Sequence, residues 1–199
     1  MAKPQLDRHT ALIAVDVQND FIPGGALPTA GGDQVVAPLN AYIQLVTQAG
    51  GRVFASRDWH PEDHISFRAR GGPWPPHCVQ NTWGASFHPQ LALPEAAVIV
   101  SKGYDPAQEA YSAFDGTGLA TLLAEAGISR LLVGGLATEY CVYSTVMDAL
   151  KLGFETWLLT DAIRAVDAHP GDGERALREM LAAGAKPTDL SALQEGAAR

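Results

Sequence analysis

Short apolar runs alternate with helix-length amphipathic stretches along most of the 199-residue chain. Residues 12–17 form an apolar run that closes on an acid, Asp16. Residues 53–56, 97–101, 131–134 and 156–160 are further runs of strand length. The intervening periodicity predicts helices over 35–49, 119–126, 141–152 and 173–183, stopped by Gly50-Gly51, Gly127, Gly153 and Gly184. Residues 186–193 hold a short, weak edge strand. Strands that are apolar on both faces, alternating with helices, imply a parallel sheet covered on both sides. With right-handed crossovers this becomes a three-layer α/β/α sandwich around a mostly parallel central sheet. The alternation breaks over about 58–94, a stretch rich in Pro, Gly, His and Trp and too long for an ordinary connection. We read 1–199 as one domain carrying a functional loop insertion there.

Composition narrows the function. Hydrophobic residues make up 47% and charged residues 18%, which supports a packed core and argues against disorder as the general state. The net charge of −8 argues against nucleic acid as a partner, since that requires a basic face. No apolar run approaches the length of a membrane span. The polar start MAKPQLDRHT lacks the apolar segment of a secretion signal, and Cys78 and Cys141 are too few for a disulfide framework. The expectation is a cytoplasmic protein with reduced thiols.

In open parallel sheets ligands gather at the carboxyl ends of the strands. The runs there lead to Asp16, to Asp58, to Lys102 and, through Gly134-Gly135-Leu136-Ala137, to Cys141 at a predicted helix start. Amides and the helix dipole at such a start lower a thiol pKa, although a lone cysteine is more often an inert core residue. Lys102 alone reads as a solvated lysine, and Asp16 alone as a turn former bonded to Asn19 or Asp20. Together the three could share protons around a nucleophile, the lysine offsetting the repulsion between carboxylate and thiolate. Backbone N–H groups of the 134–138 segment near Cys141 could form an oxyanion hole. Asp58 and His60, two apart in an extended segment, with His77 returning from the loop, suit a divalent metal, with His64 close by. The plainer alternative is a set of polar loop histidines, as His9, His88 and His169 are read. Cys78 is read as structural.

Taken in order, ALIAVDVQNDFIPGGAL, ASRDWHPEDHISF, WPPHCVQNTWGASFHPQL, VSKGYDP, YSAF and VGGLATEYCV resemble the nicotinamidase/pyrazinamidase branch of the isochorismatase-like cysteine hydrolases. The resemblance implies that Asp16, Lys102 and Cys141 form a catalytic triad. It implies that Asp58, His60 and His77 hold one divalent metal, with His64 as a possible fourth ligand; zinc is favoured, and iron and manganese are compatible. It also implies that Phe21, Trp74 and Tyr111 wall the ring pocket. A cis Leu136–Ala137 peptide and the N–H groups of Ala137 and Cys141 would face the oxyanion. The implied reaction is hydrolysis of nicotinamide to nicotinate and ammonia through a cysteine thioester, with pyrazinamide as a further substrate, in NAD salvage. An isochorismatase or N-carbamoyl amide hydrolase is the alternative, against which the Asp58/His60/His77 set weighs. Glu139-Tyr140 departs from the Asp-His that some members carry, Arg68 and Arg70 have no assigned role, and a homo-oligomer is left open.

Overall fold

Six strands and five helices account for the alternation in the computed structural model, which describes residues 3–194. The strands are β1 (Thr10–Val15), β2 (Arg52–Asp58), β3 (Val98–Lys102), β4 (Arg130–Leu136), β5 (Glu155–Arg164) and β6 (Lys186–Thr188). The helices are α1 (Val36–Gln48), α2 (Leu119–Glu125), α3 (Tyr143–Lys151), α4 (Asp172–Ala182) and α5 (Leu190–Gln194). Every pairing is parallel and the order is β3-β2-β1-β4-β5-β6. The chain therefore steps outward from β1 to β3 and then returns to place β4 on the other side of β1. This reversal opens a crevice beyond the ends of β1 and β4, where open α/β sheets bind ligands.

The sheet's position between two helical layers follows from alternation within each strand. Ala11, Ile13 and Val15 of β1 pack with Leu119 and Leu123 of α2, Val146 of α3 and Met180 of α4. Leu12 faces the opposite layer, where Val36, Leu39, Ile43 and Val46 of α1 present a stripe spaced three and four residues apart. Leu190 and Leu193 of α5 extend that second layer.

Three elements depart from the sequence expectation. The helix expected from residue 141 is preceded by a π-helical turn, Thr138–Val142, so the α-helix begins at Tyr143. β5 runs on to Arg164, past the expected end at 160. The short edge strand expected within 186–193 is Lys186–Thr188, but the helix α5 that follows it is not among the expected elements; its Leu190 and Leu193 find apolar partners in the second helical layer. Within 58–94 the regular structure beyond β2 is one 3₁₀ turn at Arg68–Arg70, and isolated bridges pair His60 with Val79, Phe67 with Trp74 and Phe87 with Gln18. The insertion is thus folded onto the strand ends.

Candidate active site

Four strand ends supply the charged centre. Asp16 follows β1 with a φ of 49°, a left-handed conformation that non-glycine residues rarely adopt and that is a recurring mark of functional sites. Its backbone N–H donates to Ser56 O at 3.1 Å, and its Oδ1 accepts from Ser56 Oγ at 2.7 Å. Neither Asn19 nor Asp20 bonds its carboxylate, so the turn-former alternative is set aside. Lys102 ends β3 and is fully buried. Its Nζ donates to Asp58 Oδ1 at 2.5 Å, to Ala110 O at 3.2 Å and to Cys141 Sγ at 3.4 Å. Asp16 Oδ2 lies 2.9 Å from the same nitrogen as an ion-pair contact, yet accepts no aligned hydrogen bond among the described residues. One carboxylate oxygen beside the thiol is therefore open to a proton.

Burial and charge set the protonation states. Burial pushes Asp16 above the usual carboxylate range, and the Lys102 ammonium only partly opposes it. Asp58 is buried too, but Lys102 and then His60 draw it well below that range. Lys102, between the two acids, is held protonated well above its ordinary value despite its desolvation. The Cys141 thiol corrects the sequence expectation: burial drives its pKa well up, and Lys102 does not reverse the shift. Cys141 lies in the π-helical turn that leads into α3, and its depth outweighs the helix dipole there. The resting nucleophile is a thiol whose proton must leave during attack.

Asp58, His60 and His77 present donor atoms within 4.8 Å of one another, all from buried side chains. The imidazoles are oriented from behind. His60 Nδ1 bonds Gly103 O at 2.9 Å and His77 Nδ1 bonds Pro75 O at 2.8 Å, which leaves both Nε2 atoms free to ligate. Gly103 has a φ of 63°, and a Cβ there would overlap the His60 ring, so glycine is required for this approach. Gln18, a motif residue given no role from sequence, clamps the Asp58 backbone. Its Oε1 accepts from Asp58 N–H at 2.8 Å and its Nε2 donates to Asp58 O at 2.8 Å. One carboxylate and two neutral imidazole nitrogens fit a borderline divalent metal with open positions. His64 does not join the group. Its Nδ1 accepts from Ser66 and its Nε2 bonds Gln108 O at 2.9 Å, so both nitrogens are spent while the ring stacks on His60.

A pocket opens between the charged centre and the metal-type group. Phe21, Trp74, Tyr111, Ala137, Asp58, His77 and Cys141 line it, so seven of the expected site residues share one cavity, whereas Asp16, Lys102 and His60 are not part of its lining. Trp74 Nε1 donates to Tyr111 Oη at 3.1 Å, so these two walls brace each other. Tyr140 completes that side, with its ring edge-on to Trp74 at 5.2 Å. Sequence reasoning noted Tyr140 only as a departure from a motif; adjacency to Cys141 was the available signal. Leu27, Thr29 and Val166 also line the pocket and had no local signal at all. The Leu136–Ala137 peptide is cis. Gly134 and Gly135 lie within β4, in register with Ala14 and Val15 of β1. Gly135 is there for proximity, since a Cβ would overlap the Val15 backbone.

Residues 10–192 match the isochorismatase domain family. The chain is 41% identical to the nicotinamidase of Escherichia coli over 93% of its own length and 97% of that protein. It superposes on the zinc complex of Pyrococcus horikoshii pyrazinamidase with a TM-score of 0.88 and 53% identity, covering 92% of this chain and 99% of the other. The structure of PnC1 from L. infantum in complex with nicotinate gives the same TM-score at 38% identity, covering 95% of this chain and 97% of the other. With its sheet order, its strand-end site and these matches over nearly its whole length, the chain belongs to the isochorismatase family.

Proposed function

We propose that this chain is a nicotinamidase, hydrolysing the carboxamide of nicotinamide, and of pyrazinamide, to the free acid and ammonia. The observation that carries this reading is that one aromatic pocket has the Cys141 thiol and the Asp58/His77 metal-type donors on its walls. A pyridine ring held between Phe21 and Trp74 can direct its nitrogen toward the donors and its carboxamide toward the thiol. A divalent metal on Asp58, His60 and His77, with zinc favoured, supplies when bound a Lewis-acid contact for the ring nitrogen.

Cys141 Sγ attacks the carboxamide carbon, and the thiol proton passes to Asp16. Burial raises Asp16 above the ordinary carboxylate range, which makes it a stronger base and suits it to take and return a proton. The N–H groups of Ala137 and Cys141 receive the oxyanion. Asp16 gives its proton to the departing nitrogen, which leaves as ammonia, and a thioester remains on Cys141. Water, with its proton taken by Asp16, adds to the thioester carbon; the carbon–sulfur bond then breaks, the acid leaves, and Asp16 returns the proton to Cys141 Sγ, restoring the thiol. Lys102 keeps the added negative charge tolerable throughout, through its contacts to Asp16 and Cys141. Nicotinate formed this way returns nicotinamide to pyridine-nucleotide synthesis.

Ammonia release from nicotinamide and pyrazinamide by purified protein, with elemental analysis of the same sample, tests the reading. The expected result is turnover of both amides with about one metal per chain. Metal-replete protein that releases no ammonia from either amide would overturn it.

A further inference from the structure

Asp20 lies in the 3₁₀ turn Asn19–Phe21 just after β1, is nearly buried, and does not line the pocket. Its carboxylate nevertheless joins two loops that do. Oδ1 accepts from Ala26 N–H at 3.0 Å and Oδ2 from Cys78 N–H at 2.7 Å. Its main chain is fixed as well, with its N–H donating to Gly84 O at 3.1 Å and its carbonyl accepting from Leu27 N–H at 3.0 Å. Gly84 packs so closely that a Cβ there would overlap the Asp20 carboxylate.

The Cys78 peptide is the consequential partner. Cys78 directly follows His77, and its carbonyl accepts from His60 N–H at 3.0 Å. His60 O in turn accepts from Gln80 N–H at 2.8 Å, so residues 78–80 run alongside His60 as a short parallel bridge. Cys78 holds a φ of 46°, an unfavourable region for a residue with a Cβ, so this conformation persists only where the surroundings impose it. Asp20 supplies that constraint from one side and His60 from the other. Hydrogen bonds of a carboxylate to backbone amides are among the stronger ones available for this purpose.

We propose that Asp20 is a positioning residue for the metal centre, setting the approach of the His77 and His60 imidazoles through the Cys78 amide while touching neither metal nor substrate. This rests on the metal-site reading above and assigns a function to an acid of the VDVQNDF motif that the reaction itself leaves idle. Asparagine keeps the volume of Asp20 but offers one acceptor to two converging N–H groups, so one clamp must fail. Gly84→Ala pushes the same carboxylate away without changing it.

The test is zinc affinity of wild type, Asp20→Asn and Gly84→Ala, measured by competition with a chromogenic chelator well below each protein's melting temperature. Both variants should bind zinc about 10–100-fold more weakly, the range seen when groups that orient ligands are removed. The visible absorption of the cobalt-substituted variants should change in intensity or position, and amide turnover should recover toward wild type as zinc is raised. Zinc affinity within about threefold of wild type in both variants overturns the proposal. So does zinc loss that merely tracks the unfolded fraction, or turnover that excess zinc does not restore. A wild type that binds no divalent metal sinks this proposal together with the metal site. A wild type that binds zinc but releases no ammonia, with both variants weakened, supports Asp20 and sinks only the amidase reading.

Discussion

Replacing Lys102 with methionine removes the charge at the centre of the site and keeps most of the volume. Nζ lies 2.9 Å from Asp16 and 2.5 Å from Asp58, fully out of solvent. At an effective dielectric constant near 20, one such contact carries roughly 6 kcal/mol of attraction, which offsets the desolvation of three buried ions. Removing one partner and leaving the rest costs about 3–5 kcal/mol, against a total stability of about 5–15 kcal/mol for a protein of ordinary size. The pH dependence identifies the cause. Asp58 is depressed in the folded state, so its stabilisation is present above the unfolded carboxylate value of about 3.9 and is lost as pH falls through its folded value. Asp16 is raised by burial, so its contribution is present below about 3.9 and is lost as pH rises through its folded value. Without Lys102 the depression of Asp58 disappears and Asp16 rises further. The stability gap between wild type and Lys102→Met should therefore widen as pH rises, first below about 3.9, where wild type gains the Asp58 contribution, and then above it, where ionising the variant's buried carboxylates costs more. Urea unfolding at several pH values on both sides of that value measures it, with a chelator present so that no metal holds Asp58. Amide turnover should fall by about 10³-fold or more in parallel. A gap of less than about 1 kcal/mol that does not vary with pH is what an exposed ion pair would give, and it would refute this account of Lys102.

Cys141→Ala should abolish ammonia release with the fold retained, and Cys141→Ser should be almost as inactive, because Asp16 cannot readily activate a serine hydroxyl; activity within about tenfold of wild type would exclude Cys141 as the nucleophile. His60→Ala and His77→Ala should each lose bound metal by elemental analysis, whereas His64→Ala should keep it, since both His64 nitrogens are engaged elsewhere. The acid limb of kcat/KM should lie above the usual carboxylate value of about 3.9, because Asp16 must be ionised to take the thiol proton and burial raises its pKa; activity then falls as pH drops through that value, and a limb at or below about 3.9 would count against Asp16 as the base. Alkylation of Cys141 in the free protein should follow a midpoint above the free-cysteine value of about 8.5, as its burial requires, and a midpoint below it would show that Lys102 outweighs desolvation.

Local signals made much of the fold legible. Apolar runs of strand length alternating with three-and-four-spaced helices imply a covered parallel sheet, because no other arrangement buries both strand faces. The glycine stops at 50, 127, 153 and 184 are local too, since each has positive φ at or just beyond a helix end. Motif order likewise brought Asp16, Asp58, His60, His77, Lys102 and Cys141 into consideration before any geometry.

What the tertiary structure decided is everything that depends on depth and on which strand end faces which. Lys102 and Asp16 close strands that are not neighbours, and only the order β3-β2-β1-β4 brings the lysine across β2 to reach Asp16, Asp58 and Cys141 together. The direction of the Cys141 shift depends on desolvation by the surrounding fold, which a helix-start position cannot report. His64 has both ring nitrogens engaged, one of them by the Gln108 carbonyl far along the chain. Gln18, Asp20 and Tyr140 acquire meaning only through partners tens of residues away. A sequence carries the types and spacings that chemistry needs, but hydrogen-bond partnership and burial are through-space properties set when the sheet assembles.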